Sequence, residues 1–316
     1  MMLRLAVRRL LAIIPLLLIL SVATFAVSTI MPGDPSQAAA GDQATPEQLQ
    51  QIRDEMHLTD PAPVRYFHWL GGVLHGDFGV SFGSHRSVAA EIGRRFPVTA
   101  TLALFSLLLA LLVGVPIGVA QGIKPGSRLD RGLLIAVSLA LSTPGFWLAT
   151  LLVLVFAVEL QWLPAVGYVS FTESPVGWLQ HIILPAVTLA VAAGAEMARQ
   201  LRTGMVDVVQ ADFVRAARAR GLSARRVMGK HALKNAAMPA VTIVGLRVGY
   251  LFAGAVIIEQ IFQLPGLGNY ALQAIQQRDY PALQGVVLAV ATIIIVINLI
   301  VDLTYAWLNP KVRVAA

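Results

Sequence analysis

Long apolar runs alternate with short, densely charged segments along this chain of 316 residues. A membrane-spanning α-helix needs about 20 mostly apolar residues, because each residue advances about 1.5 Å through a hydrocarbon core about 30 Å thick. Six stretches meet this requirement with at most one charged or histidine side chain each: residues 10–31, 98–123, 132–158, 174–195, 235–258 and 280–301. The pattern predicts an all-α integral membrane protein with six transmembrane helices.

The first stretch follows three arginines, an arrangement that also occurs ahead of the apolar core of a cleaved signal peptide. Its apolar run of 22 residues exceeds the usual core of about 7–15 residues. We therefore expect a retained span, with residues 1–31 forming the N-terminus and the first helix.

Basic residues are distributed unequally between alternate segments outside the spans. The N-terminus, the C-terminus and residues 124–131 and 199–234 carry 17 Lys and Arg, against six on the opposite side. Because Lys and Arg concentrate in cytoplasmic loops, both termini are predicted to be cytoplasmic. Arg94 and Arg95 are exceptions, since they precede the second span on its predicted outer side.

Composition agrees with a membrane protein, because 57% of the residues are hydrophobic and 13% are charged, against about 25% charged in soluble domains. The net charge of +7 is accounted for by the cytoplasmic loops, so no nucleic-acid partner is predicted. The chain has no cysteine, which excludes disulfides and thiol catalysis.

Residues 32–97 are predicted to form an extracytoplasmic loop domain between helices 1 and 2, ahead of a membrane core at residues 98–316 that contains helices 2–6. Thr45, Pro46 and Gln48 have the spacing of a helix cap, and a second helix is expected after Asp60-Pro61. Four of the six histidines lie here, at spacings that match no metal-binding motif: His57, His68, His75 and His85. No metal site is predicted.

Small residues within the spans indicate close helix packing, since lipid provides no hydrophobic drive for helices to associate. They recur at short spacing in three spans: Gly114, Gly118 and Gly122; Ala190, Ala193, Gly194 and Ala195; Gly245, Gly249 and Ala253. Pro116 and Pro144 are expected to kink or open their helices. Arg247 is a basic residue inside a span, and such residues usually face a bundle interior or a water-filled cavity. It is either part of the lining of a translocation pathway or ion-paired with another helix or subunit. Glu259 is the second candidate for the pathway lining.

The basic segment at about residues 199–236 contains a short predicted helix from Asp212 that ends at Gly221, which can adopt positive φ. Alanines within it permit close approach, and arginines flank them. The residues alone support two interpretations equally: a helix that docks into a cleft of another protein, or a basic loop held by anionic lipid.

The same segment resembles the EAA loop of ABC importer permeases, a Glu-Ala-Ala triplet followed three residues later by Gly. Here Arg215 stands in place of the Glu and is followed by Ala216, Ala217 and Gly221. This departure is similar to the variant in dipeptide and oligopeptide permeases. Further segments resemble that subfamily in the same order over nearly the whole chain: residues 31–35, 76–81, 95–102, 163–167, 259–262, 264–268, 278–281 and 302–305.

The resemblance implies a type I ABC importer permease fold in a bacterial inner membrane. It implies as partners a second, similar permease, two ATPase subunits or one fused ATPase, and an extracytoplasmic binding protein that delivers peptide. ATP and Mg²⁺ would be bound by the ATPases, and no cofactor or enzymatic activity is expected in this chain. The ATPase contact would be formed by the residues of the loop: Asp212, Arg215, Ala216, Ala217, Arg218 and Gly221.

Other functions remain as alternatives to peptide import. Related permeases carry nickel, glutathione or sugars. A secondary transporter driven by an ion gradient is a more distant alternative, because such folds show internal repeats and polar groups at the membrane midplane. An intramembrane enzyme is disfavoured by the absence of a catalytic motif such as HExxH.

Overall fold

The computed structural model describes residues 2–30, 36–37, 44–55, 58–209, 211–221, 223 and 233–308. Eleven α-helices of eight or more residues lie in these ranges: α1 Met2–Ile30, α2 Pro46–Glu55, α3 Ala62–Leu74, α4 Val88–Ile123, α5 Arg128–Ser142, α6 Gly145–Leu152, α7 Pro175–Val209, α8 Asp212–Ala219, α9 Leu233–Phe262, α10 Leu267–Gln276 and α11 Tyr280–Leu308. A π-helical turn at Val153–Glu159 continues α6. Apart from one isolated bridge between Val80 and Ser87, the described part has no β-structure.

Three described helices are long and apolar enough to cross a membrane: Val88–Ile123, Pro175–Val209 and Tyr280–Val301. The number rises to five if each of two consecutive helix pairs is counted as one span, and Leu11–Val27 is a shorter apolar helix. The count of six spans and the cytoplasmic termini stay predictions.

The third predicted span, residues 132–158, is not one continuous helix. Helix α5 ends at Ser142, and the chain bends by 99° before the helical segment Gly145–Glu159. Thr143 and Pro144 are both extended, with ψ of 120° and 133°. Proline lacks the N–H that would continue the ladder and disfavours a helical residue before it, so the break lies where Pro144 predicts an opening. At Pro116, in contrast, α4 continues without interruption.

The chain divides into two compact units, of which the first comprises Met1–Thr99 and Pro265–Val296. Its helix α2 begins with the predicted capping box: Thr45 N donates to Gln48 Oε1 at 2.9 Å, and Gln48 N donates to Thr45 Oγ1 at 3.3 Å. Helix α3 contacts α1 through a 2.8 Å hydrogen bond between Tyr66 Oη and Ser21 Oγ. The first unit buries an apolar cluster contributed by α4, α10 and α11: Val88, Leu267, Tyr270, Ala274, Ala282, Leu283 and Val286.

The second unit comprises Ala100–Leu264 and Ile297–Ala316. Its central element is α7, which contacts α5, α6 and α9. Helix α7 extends 14 residues past the predicted end of the fourth span at Ala195, to Val209. The first part of the segment predicted as a loop, residues 199–209, is therefore helical. It carries α8 at its end.

The division of the chain at residues 31 and 97 stays a prediction. In the structure, the described residues of 32–97 cluster with α1, the start of α4 and residues 265–296.

Candidate functional site

Helix α8 is the short helix predicted in the basic segment, and it is attached directly to the end of α7. Ala211 N donates to Val208 O at 3.1 Å, and Val214 N donates to Ala211 O at 3.0 Å. The Val214 side chain is completely buried. These contacts form a tight turn, so α8 leaves α7 in a defined direction.

Helix α8 ends just before Gly221, the residue at which a helix stop is predicted. Arg220 N donates to Ala216 O at 3.1 Å, and Gly221 has a φ of +77°. Among the described residues, no atom lies within 4 Å of a Cβ built at this position. The backbone conformation favours glycine here, because L-residues, unlike achiral glycine, are strained in the left-handed region.

We refer to residues 212–221 as the coupling segment, after the role that the sequence resemblance predicts for them. Three of the predicted contact residues, Asp212, Ala216 and Gly221, are exposed on its surface. Arg215, Ala217 and Arg218 lie on the same helix, but their side chains lie outside the described residues. The segment thus buries Val214 against its own chain and presents Ala216 outward.

An ion pair between a buried carboxylate and a partly exposed arginine lies upstream of the coupling segment. Arg202, on the extension of α7, donates from Nε to Asp130 Oδ1 at 2.8 Å and from Nη2 to Asp130 Oδ2 at 2.9 Å. Asp130 is 1% exposed and lies in the first turn of α5. Its Oδ2 also accepts a 2.8 Å hydrogen bond from Gly126 N. Bidentate guanidinium–carboxylate pairs of this kind are the strong and directional ones.

This ion pair was not predicted from the sequence. In the sequence, Arg202 is one of nine basic residues between positions 199 and 234, and Asp130 belongs to no predicted site. The sequence does contain a local signal, because Gly126 and Ser127 precede Asp130, the one acid in a basic loop. In the structure, Ser127 is the N-cap of α5, and its Oγ accepts from Asp130 N at 3.2 Å. The partner of that acid, 72 residues away, has no local signal.

The small-residue stripe of α4 packs closely against another helix, as predicted, and the structure shows that this helix is α7. A Cβ on Gly114 would lie 2.5 Å from Gly194 O, and a Cβ on Gly118 would lie 2.7 Å from Ala198 O. A Cβ on Gly122 would overlap the Met205 side chain. Only glycine allows this approach, so the stripe fixes the distance between α4 and the helix that carries the coupling segment.

In the first unit, several of the segments that resemble the peptide permease subfamily meet one another. Thr99 Oγ1 accepts a 2.8 Å hydrogen bond from Leu267 N. Ser81 Oγ donates to Asp279 Oδ2 at 2.5 Å, and the other oxygen of Asp279 accepts from Ala282 N at 3.1 Å. These contacts join chain positions 168 and 198 residues apart.

The arginines that precede the second span surround one buried acid. Glu91 is 3% exposed and accepts from Arg94 Nη2 at 2.8 Å and from Arg95 Nε at 3.1 Å. The Arg95 guanidinium also lies 4.5 Å from the ring centre of Tyr270. The positive charge that was unexpected on the predicted outer side is therefore partly neutralised within the first unit.

The two predicted pathway residues differ in what the structure describes. Glu259, on α9, is completely buried. The Arg247 side chain lies outside the described residues. Among the described residues, no group of three His, Asp or Glu side chains is placed to hold a metal ion, and His57 lies outside that part of the chain.

Comparisons with known proteins agree with the resemblance seen in the sequence. Residues 114–314 match the family described as binding-protein-dependent transport system inner membrane component, and residues 2–103 match the N-terminal part of such membrane components. A protein of Brucella melitensis named as a permease of a peptide transport system is 40% identical over 313 residues, which are 99% of each chain. The glutathione transport system permease protein GsiC of Salmonella typhimurium is 41% identical, with 99% of each chain covered.

Among solved structures, the inward-facing MetNI methionine ABC transporter is similar to this chain. The TM-score is 0.57 at 17% identity, and the match covers 69% of this chain and 96% of the other. This likeness confirms the expected ABC importer permease fold. With the family match over most of its length, the chain belongs to the binding-protein-dependent transport system inner membrane components.

Proposed function

We propose that this chain is one of two permease subunits of an ATP-driven importer that moves short peptides across a bacterial cytoplasmic membrane. The observation that supports the peptide substrate is the full-length identity of 40% to a permease named for peptide transport. Glutathione is the second candidate, because the identity to a glutathione permease is 41% over the same length. Glutathione is itself a tripeptide, so both candidates belong to one chemical class.

The coupling segment is the proposed contact with the ATPase subunits. Its support is geometric: Val214 anchors α8, while Ala216 and the stop at Gly221 lie on the exposed side. A small-residue helix can approach the floor of a cleft closely, and Arg215 and Arg218 can pair with acidic groups at its rim. In this proposal the ATPases bind ATP and Mg²⁺, close on binding, and displace the coupling segment.

The remaining partners follow from the same class. A second permease would complete the pathway, and an extracytoplasmic binding protein would deliver the peptide. Arg247 and Glu259 are retained as pathway residues. Because Glu259 is completely buried within this chain, we expect it to shape the pathway wall rather than to contact the peptide in this conformation.

The test is peptide uptake into proteoliposomes that contain this chain, its partner permease, the ATPases and the binding protein. Uptake of labelled dipeptides, tripeptides, glutathione, nickel and a sugar should be compared with and without ATP. ATP-dependent peptide uptake that is lost in Ala217→Asp supports the proposal. ATP-dependent uptake of nickel or sugar alone would refute the peptide substrate, and ATP-independent uptake driven by an ion gradient would refute the importer class.

A further inference from the structure

We infer that Asp130 and Arg202 are positioning residues. They fix the position of the coupling segment relative to the loop at residues 124–131, which we call the first inner loop. The inference rests on the proposed function of the coupling segment. It assigns to these residues the role of transmitting the movement of that segment to α5. Neither residue contacts the ATPase or the peptide in this proposal.

The proposed connection begins at the first inner loop, which is held in place by hydrogen bonds to the Asp130 carboxylate. One carboxylate oxygen accepts from Gly126 N at 2.8 Å and from Arg202 Nη2 at 2.9 Å, and the other accepts from Arg202 Nε at 2.8 Å. Gly126 has a φ of +78°, which lets its N–H turn back toward the carboxylate. The loop, the start of α5 and the α7 extension are thus joined through one buried carboxylate.

The other end is the continuous path from Arg202 to the coupling segment. Helix α7 runs without interruption from Arg202 to Val209, a length of about 10 Å at 1.5 Å per residue. Leu201 and Met205 beside Arg202 are buried against Val115 and Val119 of α4. The turn to α8 is closed by the hydrogen bond from Ala211 N to Val208 O. A displacement of α8 that leaves this turn closed moves the end of α7 and, with it, the Arg202 guanidinium.

A second ion pair on the same helix provides a matched control. Arg199 Nη2 donates to Glu196 Oε2 at 2.6 Å, with the two residues one helical turn apart. This pair lies within α7 and, unlike the Asp130–Arg202 pair, does not join α7 to the first inner loop. Loss of Arg199 removes a charge of the same type, three residues from Arg202, without cutting the proposed connection.

The test uses the natural lack of cysteine in the chain. Lys124→Cys in the first inner loop and Ala219→Cys at the end of α8, both exposed, carry spin labels in the assembled complex in nanodiscs. Electron–electron double resonance then measures the distribution of distances between the labels. We compare Asp130→Asn, Arg202→Gln, the double variant and Arg199→Gln. The double variant leaves no unpaired buried charge, so it stays informative if a single variant folds poorly.

We expect a broader distance distribution in the single and double variants, and the unaltered distribution in Arg199→Gln. In the same four variants without the two cysteines, the increase in ATPase rate caused by loaded binding protein should fall by about 5-fold or more, within the range of allosteric couplings, except in Arg199→Gln. The double variant should be no worse than the worse single variant, because both residues serve one contact. ATPase subunits should still co-purify in normal amounts.

Two results would overturn the inference: an unaltered distance distribution in the double variant, or unaltered ATPase stimulation by loaded binding protein. The distance measurement does not depend on which substrate is carried. Failure of the wild-type complex to import peptide would therefore refute the proposed function, while the distance distributions still decide the role of Asp130 and Arg202.

Discussion

Replacement of Gly114 by alanine should destabilise the protein although it adds only one methyl group. The new Cβ would lie 2.5 Å from Gly194 O and 3.0 Å from Gly194 Cα, both backbone atoms. No side-chain rotation can relieve this contact, so α4 and α7 must separate by about 0.9 Å to restore the 3.4 Å at which ordinary contact begins. Overpacking of this kind costs about 1–3 kcal/mol.

The gain in helix propensity opposes this cost. Alanine is favoured over glycine inside a helix by about 0.5–1 kcal/mol, because glycine loses more backbone entropy on folding. Gly93 lies in the same helix, and no atom of the described residues lies within 4 Å of a Cβ built there, so Gly93→Ala should show this gain alone. Gly194→Ala is intermediate, since its Cβ would lie 3.2 Å from Ala110 O. We therefore expect Gly93→Ala to be the most stable of the three variants, Gly194→Ala to be intermediate and Gly114→Ala to be the least stable.

The order can be measured by unfolding the purified chain in mixed micelles with increasing SDS. The fluorescence of its five tryptophans reports the unfolding. Each variant is compared with the unaltered chain in the same lipid and detergent. Equal midpoints for Gly114→Ala and Gly93→Ala would refute the reasoning, because the two changes differ only in what surrounds the added methyl group.

Substitutions at three further positions test one backbone conformation and two hydrogen bonds. Gly221→Ala should reduce ATPase stimulation in the reconstituted complex, because alanine at a φ of +77° costs about 1–2 kcal/mol; Gly221→Asn should be milder, since asparagine tolerates that conformation. Thr99→Val should lower the free energy of unfolding by about 1–3 kcal/mol, because the buried Leu267 N loses its acceptor. Thr99→Ser keeps the hydroxyl and should not lower it. Equal SDS midpoints for the two variants would contradict this expectation. Tyr66→Phe removes the bond to Ser21 and should cost about 0.5–1.5 kcal/mol in the same assay; an unaltered midpoint would show that this bond contributes no net stability.

Local rules predicted the features that depend on a few adjacent residues. The capping box at Thr45 and the stop at Gly221 follow from residue type and spacing, and both were confirmed. The break at Pro144 was predicted as an opening, but not as a bend of 99°. The size of the bend depends on how α5 and α6 each pack against α7, which a proline alone does not specify.

Contacts between distant segments could not be predicted in the same way. The glycine stripe at Gly114, Gly118 and Gly122 predicted a close helix neighbour, yet the spacing does not say which span that neighbour is. The bond between Asp130 and Arg202 joins the first turn of α5 to the extension of α7, and their proximity depends on the packing of α4, α5 and α7. The pairing of Glu91 with Arg94 and Arg95 is different, because spacings of three and four residues make it visible in the sequence.

The described contacts also explain why the sequence resemblance identifies the class of transporter more firmly than its substrate. Thr99 bonds to the main-chain N–H of Leu267, and Asp279 bonds to the main-chain N–H groups of Gly83 and Ala282. Such bonds recognise backbone, so they hold the first unit together whatever is transported. The coupling segment likewise presents a small-residue helix whose proposed partner is an ATPase. Substrate preference should therefore change through side chains that point away from these contacts, and exchange of such residues with those of a glutathione permease should alter selectivity without altering assembly.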